Sequence, residues 1–368
     1  MGVKKGSMEG MEELSDFWKG KRVFITGHTG FKGSWLVLWL RLIGAEVYGY
    51  SLDPNTEPNL FTLAGIESDI TQERGNILDI TRLQKAIITF RPEIVFHLAA
   101  QPLVITSYEY PIETYATNVV GTANILEAIR HCSSVRSVVI VTSDKCYEHT
   151  KENRPFVETD RLGGNDPYSA SKACAEITVS SMRNSFFPAS RYKEHHVAIA
   201  TARAGNVIGG GDFSAHRLIP DAMRAVQSGE ILTIRNPSHV RPWQHVLDPL
   251  HGYLLLARKL YEEGPAFAEG WNFGPDDTSG QPVSSVIERL KLQLEGRLHT
   301  KSEVSGSLTP EAEVLRLDCT KAKTRLYWRP LLNLETALSL TASWYMAFFR
   351  GEDMRVLTRE QIRQFKTL

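Results

Sequence analysis

The chain has 368 residues, 42% hydrophobic and 23% charged, which suffices for a large core and is ordinary for a globular protein. Its 42 basic residues balance 42 acidic ones, which argues against a nucleic acid or other polyanion as partner. The cysteines at 132, 146, 174 and 319 show neither CxxC pairing nor metal-ligand spacing, so they read as free thiols of a reducing cytoplasm with no metal to hold.

The first twenty residues are charged and lack the apolar stretch of a secretory signal. The first strand is expected at 22–26 and breaks into glycines at 27, 30 and 33 before an apolar helix over 32–43. Glycine lets a buried strand turn sharply and lets backbone amides approach a ligand. The helix that follows points its positive end at that spot, which suits a phosphate; a tight turn that binds nothing is the alternative. The segment WLVLWLRLI within this helix is too short to span a bilayer and carries Arg41, so no membrane is expected.

A second strand at 46–51 leads to Asp53, twenty residues beyond Gly33. A carboxylate there can accept the ribose hydroxyls of NAD and would repel the 2′-phosphate of NADP. No arginine follows it immediately in "SLDPNTEP", so NAD is favoured, although Asp53 can also cap the turn before Pro54. A weaker strand near 72–76 precedes Asp79, which either caps a helix over 79–90 or approaches the adenine. Strands at 94–99, 137–142 and 196–202 alternate with helices at 114–131 and 169–186.

Most of these strands are continuous apolar runs, as expected when both faces are covered. The alternation predicts an α/β fold, a doubly wound parallel sheet of Rossmann type, with ligands outside the carboxyl ends of its strands. The glycine loop, residues 97–101 and residues 142–147 fall at such ends and should converge on one cleft. Beyond 203 the pattern is irregular, and a helix near 246–262 and a strand at 271–273 return to the sheet. We expect a dinucleotide-binding domain over 16–205, completed by 244–275, and a smaller mixed α/β substrate-binding domain from 206–243 and 276–350.

Tyr168 and Lys172, in "YSASK", are four apart and share a helical face. A phenol is a poor base at neutral pH, and a nearby ammonium with a positive nicotinamide ring would lower its pKa. Such a tyrosine can take a proton from a sugar hydroxyl while hydride leaves the same carbon. In "VTSDKCY", at the end of the 137–142 strand, Ser143 can donate to that hydroxyl, and Asp144 and Lys145 supply an acid and a base, or else form a surface ion pair. His97 reads as a structural hydrogen-bond partner, whereas Gln101 lies closer to the cleft and can touch sugar hydroxyls. Trp243 and Phe213 read as packing.

The glycine loop, "HLAAQ" (97–101), "NVVGT" (118–122), Ser143, Tyr168 and Lys172 together resemble the extended short-chain dehydrogenase/reductase family over nearly the whole chain. Within it, "TGHTGFKGSWL", "TSDKCYE", "DPYSASKACAE", "RAGNVIGGGD" and "RPWQHVLDPLHGYL" are similar to the nucleotide-sugar 4,6-dehydratases, above all those acting on CDP-glucose. The resemblance implies NAD as cofactor, with Gly27, Gly30, Phe31, Lys32 and Gly33 at its pyrophosphate end. It assigns Asp53, Asp79 and Ile80, then Leu98, Ala99, Ala100 and Gln101, and finally Tyr168 and Lys172 to the same cofactor. It implies oxidation at C4, loss of water across C5–C6 and return of hydride to C6. Asp144 then matches the acid that protonates the leaving 6-hydroxyl.

Many relatives carry Glu, acting as the C5 base, where this chain has Lys145; in this departure from the family pattern Lys145 itself is expected to be the C5 base, for which it must be neutral. Asn206 and Arg241, with Arg217, are implied as contacts of the substrate diphosphate, an arginine fork suiting phosphate oxygens; pairing with carboxylates of the smaller domain is the alternative for both arginines. Helices 114–131 and 169–186 are implied to pair across a homodimer. An epimerase, a dehydratase for GDP-mannose or for dTDP- or UDP-glucose, and a non-catalytic NAD-binding regulator are the competing readings.

Overall fold

The computed structural model describes residues 15–148, 154–234, 236–276, 280–302 and 315–367. The start of the expected leader-free stretch, and residues 277–279 and 303–314 of the expected smaller domain, lie outside the described residues.

Six parallel strands run in chain order: β1 (Arg22–Thr26), β2 (Glu46–Ser51), β3 (Thr71–Arg74), β4 (Ile94–His97), β5 (Ser137–Val141) and β6 (Ala198–Ala204). With strand Gly270–Phe273 they form a seven-stranded sheet whose spatial order is Gly270–Phe273, β6, β5, β4, β1, β2, β3. The order reverses beside β1, so the crevice at the carboxyl ends of β1 and β4 is the switch point where such sheets hold ligands. All seven strands match the expected ones to within a few residues, and the fold is the doubly wound sheet that the apolar runs predict.

Successive side chains of a strand point to opposite faces, and β1 shows the result. Val23 and Ile25 join one buried cluster, with Trp35, Trp39 and Leu250, while Phe24 joins the other, with Leu83, Val95 and Ile125. Helix Phe31–Leu42 is apolar all round and is correspondingly buried from Gly33 to Leu40. The sheet covers one side of it, and Phe365 of the last helix meets Trp39 edge-on at 5.4 Å on the other.

After β6 the chain builds three two-stranded ribbons: Val207–Ile208 with Gln244–His245, Val240–Pro242 with Gly280–Pro282, and Ile231–Ile234 with His299–Ser302. Helices Leu218–Ser228, Val283–Gln293 and Leu334–Phe349 pack beside them. One expected helix differs in kind. The 114–131 stretch contains a π-helical turn at Ala116–Val120, which places Asn118 inward. Turns of this type recur at functional sites because they re-aim a side chain. Among the described residues no helix is long and apolar enough to cross a membrane, and no group of side chains has the makings of a metal site.

Candidate active site

The glycine loop leaves no room for side chains at two of its three glycines. Gly27 has a positive φ of 75°, and a Cβ there would lie 2.6 Å from the Ala99 nitrogen. At Gly33 a Cβ would sit 2.1 Å from the Gly27 carbonyl oxygen. Gly30 is less confined and stands at the N-cap of helix Phe31–Leu42, with no side-chain cap and no acidic residue in the first turn. Uncapped first-turn amides beneath a flat backbone surface make the cradle that a dinucleotide pyrophosphate fills. Residues Leu98, Ala99 and Ala100 continue from β4 against this loop, the Leu98 amide donating to the Thr26 carbonyl at 3.1 Å.

Several residues assigned to the cofactor or substrate have protein partners. Asp79 caps helix Ile80–Phe90, accepting from the Arg82 amide at 3.0 Å, so the cap use of its carboxylate is realised. The Gln101 amide group is engaged by the protein, donating to Thr114 Oγ1 of helix Pro111–Tyr115 at 2.8 Å and accepting from the Leu103 amide at 2.6 Å. Arg217 pairs with Asp212 at 2.8 Å and stays one-third exposed. Buried Arg241 donates to the Val240 carbonyl and meets His239 Nδ1, each at 3.0 Å. Half-buried Asn206 offers its carbonyl to the Gln244 amide at 3.1 Å. Trp243 donates to the Gln281 carbonyl and Phe213 packs on Tyr345 and Phe348, both as packing residues.

The expectation for Asp53 needs its surroundings redrawn. Arg74, at the end of β3, donates from Nε to Asp53 Oδ1 at 2.9 Å. No arginine follows Asp53 immediately in the chain, but the sheet places one beside it, since β2 and β3 pair Ser51 with Arg74. Sequence reading missed it because the neighbour comes across the sheet.

The candidate catalytic segment begins where β5 ends. Ser143, Asp144 and Lys145 open a short 3₁₀ turn in which the Ser143 hydroxyl accepts from the Lys145 amide at 3.2 Å and donates to Asp144 Oδ1 at 3.1 Å. Asp144 is 2% exposed, and its Oδ2 has no hydrogen-bond partner among the described residues. Burial raises its pKa above the ordinary carboxylate value, against the opposing pull of Lys145, Arg241 and Lys32. A buried carboxyl with a raised pKa and an open oxygen is the arrangement of a proton donor.

Tyr168 enters from helix Pro167–Phe186, whose N-terminus is fixed by Asp166 accepting from the Ser169 amide at 2.9 Å and by Ser107 accepting from the Tyr168 amide at 3.1 Å. Its phenol hydrogen-bonds Ser143, and burial pushes its pKa up to about 12. The expected lowering by Lys172 is therefore absent in the chain alone. Lys172 donates instead to the Val141 carbonyl at 3.4 Å, its own pKa drawn down to about 8 by burial. The cation that acts on the phenol is Arg217. Lys32 faces the same centre: burial, with Arg217 and Lys172 nearby, brings its pKa down to about 7.

Two further parts of the site were not singled out from sequence. Asn118, inside the quoted "NVVGT", donates to Ser171 Oγ at 2.8 Å and accepts from the Gln101 amide at 2.9 Å, tying the 97–101 segment to the tyrosine helix. Glu176, one turn beyond Lys172, receives Thr142 Oγ1 at 2.5 Å, Thr201 Oγ1 at 2.7 Å, and Arg203 Nε and Nη2 at 2.9 and 2.7 Å. Arg203 also donates to Tyr147 Oη at 2.8 Å. The four-residue step Lys172–Glu176 was the signal available in the sequence. His97 is structural as expected, held by Thr26 and Thr122 at 2.7 and 3.3 Å and kept neutral by burial, with a pKa near 3.

A dinucleotide cradle at the switch point, joined to a tyrosine, serine and buried carboxyl, defines a Rossmann-type enzyme of the nucleotide-sugar-modifying kind. The chain belongs to the GDP-mannose 4,6 dehydratase family, whose profile matches residues 24–341. It is 46% identical over 358 residues to a CDP-glucose 4,6-dehydratase of Salmonella typhimurium, covering 95% of this chain and 97% of that one. Among solved structures, it resembles a UDP-glucose-4-epimerase of Stenotrophomonas maltophila with bound NAD, with a TM-score of 0.78 at 20% identity over 90% of this chain and 99% of that one. A dTDP-glucose 4,6-dehydratase of Bacillus anthracis in complex with NAD gives a TM-score of 0.71 at 21% identity, over 89% of this chain and 97% of that one. At such identities the two structures speak to the fold.

Proposed function

We propose that the protein converts CDP-D-glucose to CDP-4-keto-6-deoxy-D-glucose and water, with NAD as a cofactor that is regenerated in each cycle. The observation that carries this reading is Asp144, a buried acid with an open oxygen beside Ser143 and Tyr168. An epimerase oxidises and reduces C4 and needs no acid for a leaving hydroxyl; a regulator needs no buried acid at all. The 46% identity to a CDP-glucose enzyme over nearly the full length supports the choice of nucleotide.

Gly27 and Gly33 leave no side chain in the way of a pyrophosphate, and the first turn after Gly30 would supply amides to it. NAD, when bound, would supply the hydride chemistry of the reaction. Tyr168 takes the proton of the 4-hydroxyl while Ser143 hydrogen-bonds the same oxygen. With its pKa near 12 in the chain alone, the phenol needs a cation to act at neutral pH; Arg217 already lowers it, and Lys172, one helical turn on, is proposed to join it once the cofactor is bound. The C4 ketone acidifies the C5 proton, which Lys145 removes as Asp144 protonates the departing 6-hydroxyl; C5 is reprotonated when the cycle closes. A Lys145→Gln variant with full dehydration activity would remove Lys145 from this scheme. Asn206 and Arg241, with Arg217, are the proposed diphosphate contacts.

The division into a cofactor part (16–205 with 244–275) and a nucleotide-sugar part (206–243 with 276–350) belongs to the same proposal. So does a homodimer or higher homo-oligomer: Tyr115, Val120, Ile177 and Phe186 leave exposed apolar surface on the two helical stretches proposed to pair. The four free cysteines fit a cytoplasmic setting.

The test is turnover of CDP-, UDP-, dTDP- and GDP-linked hexoses, read by mass spectrometry. Loss of one water from CDP-glucose alone, without net NADH, is the expected result. Isomerisation without loss of water means an epimerase and makes Asp144 structural. No turnover of any sugar despite tight NAD binding means a regulator.

A further inference from the structure

Asp53 is expected to exclude NADP, because a lone carboxylate beside the adenosine ribose repels a 2′-phosphate. It is not alone. Arg74 holds it at 2.9 Å, and the same guanidinium donates from Nη1 to Gln72 Oε1 at 2.9 Å. The guanidinium carbon lies 4.9 Å from the centre of the Phe61 ring, which gives it a floor. Gln72 is itself fixed, donating to Glu67 at 2.7 Å and meeting His28 Nε2 at 2.8 Å. Among the described residues the third nitrogen, Nη2, meets a distant carboxylate, Glu67 Oε1 at 3.9 Å. Arg74 is thus a pre-oriented cation at the carboxyl end of β3, next to the residue that reads the ribose. The Asp53 carboxylate is 83% exposed, so their pair is weak and yields readily to a bound group.

We propose that Arg74 makes this coenzyme site tolerant of a 2′-phosphate, so that the chain binds NADP as well as NAD, with Arg74 receiving the phosphate. This rests on the reading of the glycine loop as a dinucleotide site. Nη1 is taken up by Gln72 and by His28 Nε2 at 3.4 Å, so it is the N–H groups of Nη2 that can turn to phosphate oxygens while Phe61 keeps the plane in place. Cancellation of the Asp53 charge removes the repulsion that a solitary carboxylate would exert.

The experiment is calorimetric titration of the full-length, ligand-free chain with NAD and with NADP, for the parent, Arg74→Ala and Asp53→Asn. The parent is expected to bind NADP within about tenfold of NAD, Arg74→Ala to lower the NADP-to-NAD affinity ratio by about tenfold, and Asp53→Asn to raise it. Circular dichroism of each variant verifies that it is folded. A parent that binds NAD but rejects NADP by more than about a hundredfold overturns the proposal, as does an Arg74→Ala ratio equal to that of the parent. Binding of neither dinucleotide by the parent overturns the coenzyme reading itself, and this proposal with it.

Discussion

Glu176→Gln is the perturbation that tests most about how the catalytic segment is held. The carboxylate and its partner Arg203 are each 4% exposed, and four donors converge on its two oxygens at 2.5 to 2.9 Å. Burial alone would raise the carboxyl pKa, yet Arg203 and the two threonines hold it below the ordinary range, so it is a buried anion at neutral pH. Glutamine keeps the shape but removes the charge and turns one acceptor into a donor that faces other donors. Breaking a buried ion pair from one side costs about 3–5 kcal/mol, chiefly because the remaining charge is uncompensated. That is a large part of the roughly 5–15 kcal/mol by which a domain is stable. Replacing both partners together, Glu176→Leu with Arg203→Met, should destabilise less than Glu176→Gln alone. Urea unfolding of the ligand-free chain, followed by tryptophan fluorescence, measures both. A Glu176→Gln protein within about 1 kcal/mol of the parent, or a double variant worse than the single one, would refute the reasoning.

Three other outcomes are expected. Gly27→Ala and Gly33→Ala place a methyl group 2.6 and 2.1 Å from backbone atoms, so each should abolish dinucleotide binding; a titration indistinguishable from that of the parent contradicts the cradle. Asp144→Asn should slow loss of water by roughly 10²–10⁴-fold, with the oxidation step at C4 less affected, as single-turnover absorbance of the reduced cofactor would report. An unchanged rate of water loss rules out Asp144 as the acid. Asp248 offers a pH test. Its carboxyl is fully buried, with Oδ2 unpartnered among the described residues and a pKa raised to about 7 by burial. A folded-state pKa above the unfolded one means that the folded chain holds the extra proton between about pH 4 and pH 7, so stability from this group falls as pH rises through that window. The full displacement corresponds to roughly 4 kcal/mol. Asp248→Asn should therefore gain on the parent from about pH 4 to about pH 7, and a pH-independent difference would show that the group does not titrate there.

Which features could be read from sequence follows from where their determinants lie. β1, β5 and β6 are written locally as apolar runs, and Gly27 is demanded by a turn within a few residues, so both were legible. Tyr168 and Lys172 were legible as a pair because one helical turn is a short-range fact. What they do electrically was not. The phenol pKa depends on burial and on Arg217, which comes from a distant loop. Arg74 beside Asp53 and Arg203 beneath Glu176 were likewise invisible, because parallel strands bring together residues separated by whole helices. Asp79 was read both ways, and its cap was settled by the path of the helix backbone rather than by its own identity.

The chain that follows the catalytic turn is stitched to residues near the far end of the sequence. The Phe156 amide donates to the Arg316 carbonyl at 2.9 Å, the Asp318 amide donates to the Phe156 carbonyl at 2.8 Å, and Phe156 stacks on Tyr147 with ring centres 4.8 Å apart. Tyr147 in turn donates to Asn272 at 2.7 Å, and Asn272 donates to the Asp318 carbonyl at 3.1 Å. During synthesis, then, the segment that follows Ser143 and Asp144 leaves the ribosome long before residues 316–318, which bridge to Phe156. The turn that carries Ser143 and Asp144 therefore takes its final seat only when the last seventh of the polypeptide emerges, and that same segment brings the helices that close the core over Trp39.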